Sequence, residues 1–434
     1  MNLPQEIHNY LSVTDPTFAW SLTDSPNSSS NDISAKGVPQ AASTGSVRRV
    51  DMDLTSQTWR GIIWQHRLTL FLPTTPVHED LIFLNIGSDG PCSKQTEEIG
   101  MRYAERSGLV CAFLFDVPNQ PLFDGLIEDQ LIAHTLVQYL DTGESDWPLL
   151  LPMVKSAVAA MNAIREYLNT SRVQPSEACE LRVVLSGASK RGWTTWLTAA
   201  HDDRVIAIAP IVFDNLNLFA QMPHQLEVFE TYSDEIGDYS ESGLMERVKT
   251  PAGAYLSRIV DPFTYRSELT LPKLIINGSN DPYWATDAIN LYWWGLHGDK
   301  NVLYVPNEGH GIGENNRTTN TILEFVCRVA SDRPMPEFSV RNTCATNLSS
   351  LYVEHAVGAS GASLWVARSG SLDFRLATWQ ELPMQGGEDG GFSSEVELSD
   401  QSNYAIFVEV TFPGFHGDFT LSSPMNILRA VAES

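Results

Sequence analysis

Three residues of this chain carry the functional groups needed to activate a hydroxyl nucleophile. Ser189, Asp281 and His310 each lie in a short turn that follows an apolar run. A serine hydroxyl is a weak nucleophile until a base removes its proton, and histidine titrates near neutral pH. A buried acid fixes the histidine tautomer and stabilises the imidazolium that forms. These residue types therefore predict attack of Ser189 on the carbonyl carbon of an ester or amide.

The segment around Ser189 has the pattern of a strand, a sharp turn and a helix. An apolar, β-branched run ends in two small residues before Ser189, and a helical pattern extends from Lys190 to about Ala200. In a nucleophile elbow, this arrangement exposes the serine hydroxyl beside backbone N–H groups that stabilise an oxyanion. The G-x-S-x-G pattern requires glycine where this chain has Arg191, and Gly192 comes one residue later. On this segment alone, an ordinary strand-to-helix turn is therefore an alternative.

The acid of the predicted triad has more than one candidate. In an α/β-hydrolase the chain order is serine, acid, histidine, and Asp281 and His310 follow Ser189 in that order at the ends of predicted strands. Asp214 ends an earlier predicted strand and is the competing acid, because some hydrolases place this residue one strand earlier. Asp287 lies in a predicted helix, where we expect it to be solvated.

The oxyanion donors and two cations form a second group of candidates. The predicted donors are the backbone N–H of Lys190 and one N–H of the turn after the strand-like run 81–86, at Gly87 or Ser88. Lys190 and Arg191 are cations at a helix N-terminus, where the helix dipole disfavours positive charge. Either they lie near an anionic group of the substrate, which makes Arg191 a candidate substrate-binding residue, or they point to solvent.

Two further side chains are candidates for contact with substrate. Trp284 lies three residues after Asp281 and is the best pocket candidate among the tryptophans. His224 lies in segment 215–264, which is polar, aromatic and irregular and is predicted to form a lid or cap. His66 alternates with apolar residues along a strand, so we expect it to be structural.

Strand-like and helix-like segments alternate up to about residue 330, which predicts an α/β fold with a mostly parallel sheet covered on both faces. The predicted strands are 47–54, 62–72, 81–86, 109–115, 205–213, 274–277 and 302–305, together with the run before Ser189. The predicted helices are 93–107, 126–142, 152–168, 287–298 and 318–330, together with the one after Ser189. Residues 21–46 are rich in Ser, Asn and Gly and are predicted to form a flexible insertion.

The hydrophobic pattern of the sequence changes after the segment RPMP at 333–336. Helical periodicity ends, and short alternating strands are predicted at 363–368, 374–379 and 404–410. This pattern predicts a C-terminal all-β sandwich of the immunoglobulin or fibronectin type at 337–434, after an α/β-hydrolase domain at 1–333.

Composition excludes several classes of partner. The net charge of −25 argues against nucleic acid and anionic membranes, and no apolar run is long enough to span a membrane. The N-terminus lacks a basic start and an apolar core, so we expect no signal peptide in this chain. The five cysteines show no metal-binding spacing, and neither metal nor cofactor is predicted. The expected partner is a small-molecule or peptide substrate; the oligomeric state and compartment are not indicated.

Several blocks of the chain resemble the PhoPQ-activated pathogenicity-related protein family. They are VPNQPL at 117–122, WPLLLPMVKSAV at 147–158, SGASKRGWTTWLTAA at 186–200, IVDP at 259–262 and NEGH at 307–310. The resemblance implies an α/β-hydrolase fold related to serine peptidases and esterases, followed by a β-sandwich. It places nucleophile, acid and base at Ser189, Asp281 and His310, and it makes Arg191 a family feature. It also suggests a secreted or periplasmic location.

The sequence therefore predicts a metal-free serine hydrolase that works through an acyl-enzyme. The alternative is a secreted signalling or binding protein on a hydrolase scaffold, without catalytic turnover, because fold does not imply function. An intact set of serine, acid and histidine favours the enzyme.

Overall fold

The computed structural model describes residues 2–23, 43–44, 46–170, 180–312, 315–345, 348–387, 390–399 and 401–430. The predicted flexible insertion at 21–46 lies mostly outside the described residues. The chain divides into two compact units, Met1–Pro210 with Glu241–Val260 and Ile211–Ser240 with Asp261–Ser434. They are called the first and second unit below, and the domain boundary predicted at 333–337 stays a prediction.

The described helices and strands are as follows. The α-helices are α1 (Glu6–Ser12), α2 (Lys94–Ser107), α3 (Glu128–Thr142), α4 (Leu150–Thr170), α5 (Lys190–Ala199), α6 (Leu218–Phe229), α7 (Gly237–Glu241), α8 (Leu244–Arg247), α9 (Pro251–Val260) and α10 (Asn316–Ala330). The strands up to α10 are β1 (Ala19–Leu22), β2 (Ser43–Thr44), β3 (Val47–Trp59), β4 (Ile62–Pro73), β5 (Leu81–Ile86), β6 (Val110–Leu114), β7 (Arg182–Ala188), β8 (Val205–Ile211), β9 (Lys273–Gly278) and β10 (Lys300–Val305). The later strands are β11 (Ser339–Ala345), β12 (Leu348–Glu354), β13 (Gly361–Ser369), β14 (Gln380–Pro383), β15 (Gln385–Gly386), β16 (Phe392–Glu397), β17 (Asn403–Gly414), β18 (Gly417–Ser422) and β19 (Asn426–Leu428).

The first unit is built on a sheet with the strand order β1-β3-β4-β6-β5-β7-β8. β3 and β4 form an antiparallel pair, whereas β5 pairs in parallel with both β6 and β7. Every residue of β6 is buried, as expected for a parallel strand covered on both faces. The turns after β5 and β7, which carry Ser88 and Ser189, therefore lie at the same edge of this sheet.

The second unit combines a parallel strand pair with an antiparallel β region. β9 and β10 are parallel, so the turns that carry Asp281 and His310 leave the same edge. Beyond β10 the order continues as β18-β17-β13-β14 through antiparallel pairs. A separate antiparallel sheet has the order β11-β12-β16-β15. The predicted fold class, mixed α/β followed by a C-terminal all-β region, is confirmed.

Three local predictions are wrong. The helix expected at 287–298 consists of two short 3₁₀ turns, Ala288–Leu291 and Trp293–Gly295, because its backbone bonds close over three residues rather than four. The strand expected at 374–379 is a loop, since its carbonyl groups bond to a side chain instead of a neighbouring strand. Segment 215–264, expected to be irregular, is mostly helical and contains α6 to α9; its role as a lid stays a prediction.

Two further properties concern the described residues. No helix among them combines the length and apolar character needed to cross a membrane. Cys327 and Cys344, on either side of the predicted domain boundary, are free thiols.

Candidate active site

Ser189 occupies a strained turn between β7 and α5. Its backbone has φ 58° and ψ −125°, a region that non-glycine residues rarely adopt and that is typical of functional turns. Gly187 lies so close to the helix that an added Cβ would stand 2.6 Å from the carbonyl oxygen of Arg191. The first helical hydrogen bond runs from the N–H of Trp193 to the carbonyl of Ser189, at 3.0 Å. The first unit therefore gives Ser189 the backbone geometry of a nucleophile elbow.

Of the two oxyanion donors predicted after β5, the structure rules out Gly87. The N–H of Gly87 donates to the carbonyl of Leu114 at 2.6 Å, so this amide is already used inside the sheet. Ser88 remains the candidate of this turn, and its carbonyl accepts the N–H of Asp116 at 3.0 Å. The amide of Lys190, at the first position of α5, remains the other candidate.

The two cations after Ser189 are buried and ion-paired, so the expectation that they point to solvent is wrong. Arg191 is 5% exposed, and its Nη1 and Nη2 donate to the two carboxylate oxygens of Glu128 at 2.9 and 2.6 Å. Its Nε donates to the carbonyl of Val117 at 2.5 Å. Lys190 Nζ lies 2.5 Å from Asp129 Oδ2. These contacts hold Arg191 inside the protein, and its contact with substrate stays a prediction.

Glu128 connects the turn after β5 with helix α5. Burial alone would raise its pKa, but the hydrogen bonds and charge of Arg191, aided by Gln120 and Lys190, lower the pKa of Glu128 to about 2. Gln120 Nε2 donates to Glu128 Oε1 and to Asp89 Oδ2, both at 2.8 Å. The loop with the candidate oxyanion donor and the helix with Ser189 are thus joined by one hydrogen-bond network.

Asp281 and His310 are hydrogen-bonded to each other in the second unit. His310 Nδ1 lies 2.8 Å from Asp281 Oδ2, and Asp281 is 7% exposed. The other oxygen, Oδ1, accepts the backbone N–H of Tyr283 at 2.9 Å. The Tyr283 ring also packs against the imidazole, with 4.1 Å between centroids. One carboxylate oxygen is therefore fixed by the backbone, and the other orients the imidazole ring.

A close backbone contact sets the distance between the two turns. An added Cβ on Gly278, the last residue of β9, would stand 2.3 Å from the carbonyl oxygen of Gly309 and 2.5 Å from that of Glu308. Only glycine fits here without moving the residues that precede His310.

Asp214, the competing acid, is bonded to a different group. The hydroxyl of Tyr292 donates a hydrogen bond to Asp214 Oδ1 at 2.5 Å, and Asp214 is 4% exposed. Burial, together with repulsion from Asp281 and Asp287, raises the pKa of Asp214 to about 7, although the hydrogen bond from Tyr292 favours the anion. At neutral pH this carboxyl is therefore partly protonated. Its chemistry differs from that expected of a residue that orients an imidazolium.

The remaining candidates lie in two places within the second unit. Trp284 lines a small cavity together with Asp214 and Asp281, and further lining residues are Asn277, Gly278, Ala285 and Thr286. His224 Nε2 lies 2.7 Å from Asp287 Oδ1, and this hydrogen bond raises the pKa of His224. The expectation that Asp287 is solvated is therefore wrong. Contact of Trp284 or His224 with substrate stays a prediction.

His66 has the structural role that its strand position suggests. Its ring nitrogens lie 2.9 Å from Ser56 Oγ and 2.9 Å from the carbonyl oxygen of Asp116. Burial lowers the pKa of His66 to about 4, so the ring is neutral at physiological pH. Within the part of the chain that the structure describes, no three His, Cys, Asp or Glu side chains converge in a way that could bind a metal ion.

Comparison with known proteins identifies the family. The profile of the PhoPQ-activated pathogenicity-related proteins matches residues 23–375. The chain belongs to this family. It is also 31% identical over 404 residues to autocrine proliferation repressor protein A of Dictyostelium discoideum, an alignment that covers 87% of this chain and 77% of that protein.

Solved structures with partial similarity to this chain include two esterases and a hydrolase. The acetyl xylan esterase from Paenibacillus sp. R4 has a TM-score of 0.48 at 11% identity, over 74% of this chain and 92% of that one. Acetyl xylan esterase 1 from Thermoanaerobacterium sp. JW/SL YS485 has a TM-score of 0.47 at 13% identity, over 75% and 94%. The S-formylglutathione hydrolase from Agrobacterium tumefaciens has a TM-score of 0.43 at 15% identity, over 68% and 98%. These similarities are partial, and they assign neither activity nor substrate to this chain.

Sequence reasoning missed four side chains that support the candidate site of this PhoPQ-related protein. Glu128 and Gln120 support the serine turn, and Asn280 and Asn307 lie in the turns of Asp281 and His310. Two adjacent cations at a helix N-terminus signal that acids must lie nearby, but they do not say which ones. The partners of the two asparagines lie more than 70 residues away in sequence, beyond the reach of local patterns.

Proposed function

We propose that this PhoPQ-related protein is a serine hydrolase with Ser189 as nucleophile, His310 as general base and Asp281 as the acid that orients it. The Ser189 oxygen attacks the carbonyl carbon of an ester or amide while His310 takes the hydroxyl proton. The tetrahedral intermediate then collapses, and the leaving group departs with the proton from His310. An acyl-enzyme on Ser189 remains.

Water completes the cycle. His310 removes a proton from a water molecule, whose oxygen attacks the acyl carbon, and the second tetrahedral intermediate releases the acid product. The Ser189 oxygen recovers its proton from His310. The role of Asp281 is to hold the ring tautomer and stabilise the imidazolium.

The observation that carries this proposal is the hydrogen bond of 2.8 Å between His310 Nδ1 and Asp281 Oδ2. The bond joins two residues at the ends of adjacent parallel strands, where catalytic groups of open α/β sheets are found. It leaves Nε2 as the nitrogen that would exchange protons. Support also comes from the strained backbone of Ser189, at φ 58°.

Two backbone amides complete the proposal. The N–H groups of Lys190 and Ser88 would stabilise the oxyanion, since Gly87 donates elsewhere. Trp284 would contribute an apolar wall to the substrate pocket, and His224 is the weaker candidate for contact. We infer that the substrate is a small molecule or a peptide.

A fluorophosphonate probe tests the assignment of Ser189. We expect labelling of the wild type at Ser189, located by peptide mass spectrometry, and no labelling of Ser189→Ala. The matched control is Ser186→Ala, because Ser186 lies in the same strand and donates to the carbonyl of Ala209 at 2.7 Å. This control should keep the label. A folded wild type that stays unlabelled, or a label on another serine, would refute the proposal.

A second candidate is a secreted signalling or binding role without turnover. It is favoured by the name of the D. discoideum relative, an autocrine proliferation repressor, at 31% identity. The probe experiment separates the two, because a binding protein does not need a reactive serine. Where labelling occurs, a panel of p-nitrophenyl esters and p-nitroanilides then distinguishes ester from amide cleavage.

A further inference from the structure

We propose that the C-terminal β region positions the catalytic acid and base through Asn280 and Asn307. Both side chains bond to the backbone of the loop between β13 and β14, residues 370–379, called the clamp loop below. The inference rests on the proposed function, since it gives these two asparagines a role in holding Asp281 and His310. It makes the C-terminal β region part of the hydrolase rather than a separate binding module.

Asn280 connects the clamp loop to the acid. It immediately precedes Asp281, and its Nδ2 donates to the carbonyl oxygens of Ala377 at 2.7 Å and Arg375 at 3.1 Å. A longer contact of 3.4 Å reaches the carbonyl of Phe374. One amide group thus satisfies carbonyls that would otherwise need a strand partner. Any shift of this part of the clamp loop therefore acts directly on the turn of Asp281.

Asn307 connects the clamp loop to the base. It lies three residues before His310, its Oδ1 accepts the N–H of Trp379 at 2.8 Å, and its Nδ2 donates to the carbonyl of Trp379 at 3.1 Å. The backbone of Asn307 has φ 61°, a left-handed conformation that asparagine tolerates better than most residues. These two hydrogen bonds to the backbone of Trp379 fix the start of the turn that leads to His310.

The two turns are also bonded to each other. Ser279 Oγ donates to Asn280 Oδ1 at 2.7 Å and accepts the backbone N–H of Asn307 at 2.8 Å. The N–H of Asn280 donates to the carbonyl of Glu308 at 2.9 Å. The clamp loop and the two turns therefore form a single hydrogen-bonded unit around the acid–base pair.

The clamp loop is itself anchored in the C-terminal β region. Phe374 and Trp379 are 1% and 3% exposed, and the Trp379 ring lies 5.2 Å from the ring of Phe407 on β17. The Arg375 guanidinium lies 3.7 Å from the centroid of the Phe229 ring on α6. These contacts in the middle and at the C-terminal end of the loop give it the rigidity that a positioning element needs.

Loss of this support should reduce kcat rather than raise KM. A displacement of about 1 Å in a catalytic group can cost roughly 100-fold in rate, even when the mutation lies away from the reacting atoms. Neither asparagine is proposed to touch substrate, so ground-state binding should change little. A lower kcat at constant KM is the signature of an interaction that matters in the transition state.

Asn280→Ala and Asn307→Gly test the proposal in the full-length protein with a p-nitrophenyl ester. Glycine is chosen at position 307 because it keeps the left-handed backbone while removing both side-chain bonds. We expect kcat to fall about 10- to 100-fold in each variant, with KM within about twofold of wild type. All rates are measured at a fixed interval below each variant's melting temperature, so that lost stability is not counted as lost catalysis.

Asn290→Ala is the matched control. Asn290 Nδ2 also donates to a backbone carbonyl of the C-terminal region, that of Met425, at 2.8 Å. We expect its kcat to stay within about twofold of wild type. Wild-type kcat in both test variants, or an equal loss in the control, would overturn the role of the clamp loop. Failure of the proposed function is a different outcome, since the wild type itself would then remain unlabelled by the fluorophosphonate.

Discussion

Glu128 accepts hydrogen bonds from both terminal nitrogens of Arg191, at 2.6 and 2.9 Å, and Arg191 lies two residues after the candidate nucleophile. This pairing explains why an arginine can stand where the nucleophile-elbow pattern has glycine. The cation is not left unpaired at a helix N-terminus, because an acid neutralises it and the carbonyl of Val117 accepts its third donor. Arg191 thus links helix α5 to the loop after β6.

Replacing Glu128 with glutamine should destabilise the protein. The substitution keeps the size of the side chain but leaves the buried guanidinium of Arg191 without its counter-charge, and breaking a buried pair in this way costs about 3 kcal/mol. Urea denaturation measures the free energy of unfolding. The control is Glu354→Gln, because the pair of Glu354 and Arg341 is exposed and should contribute less than about 1 kcal/mol. Equal losses in both variants would argue against a special role for Glu128.

The same pair predicts how stability changes in acid. The pKa of Glu128 is about 2 in the folded protein and 4.5 as its ordinary value, so the unfolded chain binds the extra proton first. The stabilisation by Glu128 is therefore complete above about pH 4.5 and is lost as the pH falls towards 2. Between these values, we expect the difference in unfolding free energy between wild type and Glu128→Gln to shrink. A difference that stays constant over this range contradicts the prediction.

The two candidate acids should differ sharply in their effect on catalysis. Asp281→Asn removes the carboxylate bonded to His310 and should lower kcat about 10³- to 10⁴-fold. The amide of Asp214→Asn resembles the protonated form of the Asp214 carboxyl, which is bonded to Tyr292 and already partly protonated in the wild type. We therefore expect kcat to fall less than about tenfold in this variant. Steady-state turnover of an ester substrate measures both. The opposite ranking would make Asp214 the catalytic acid.

Asp214 should also make the wild type less stable as the pH rises. Its pKa is raised from 3.8 to about 7 in the folded protein, so the folded state binds more protons between these values. Stability then falls with increasing pH over this window and levels off above about pH 7, a loss on the order of 4 kcal/mol. Asp214→Asn should lack this slope. Thermal or urea unfolding of both proteins from pH 4 to 8 provides the measurement, and parallel curves would show that Asp214 does not titrate as described.

Strands and helices with clear periodicity were readable from sequence, and the contacts between distant segments were not. β5 spans the predicted residues 81–86, because a short apolar run bounded by turn residues is typical of a buried strand. The segment 374–379 reads as a strand by composition, yet its carbonyls bond to Asn280, almost 100 residues earlier. No local pattern carries that information. The same limit applies to Glu128, whose pairing with Arg191 joins residues 63 positions apart in the sequence.

The turn of Ser189 itself can be tested with Gly187→Ala. The new Cβ would stand 2.6 Å from the carbonyl oxygen of Arg191 and 2.8 Å from its carbon, both backbone atoms that cannot move without shifting α5. We expect a loss of about 1–3 kcal/mol in the free energy of unfolding and a clear fall in the rate of fluorophosphonate labelling, because the helix that begins after Ser189 must move. The control is Gly361→Ala, where an added Cβ has no heavy atom within 4 Å. This variant should label and unfold like the wild type. Wild-type labelling of a stable Gly187→Ala protein would show that the close approach of Gly187 and Arg191 does not set the position of the serine.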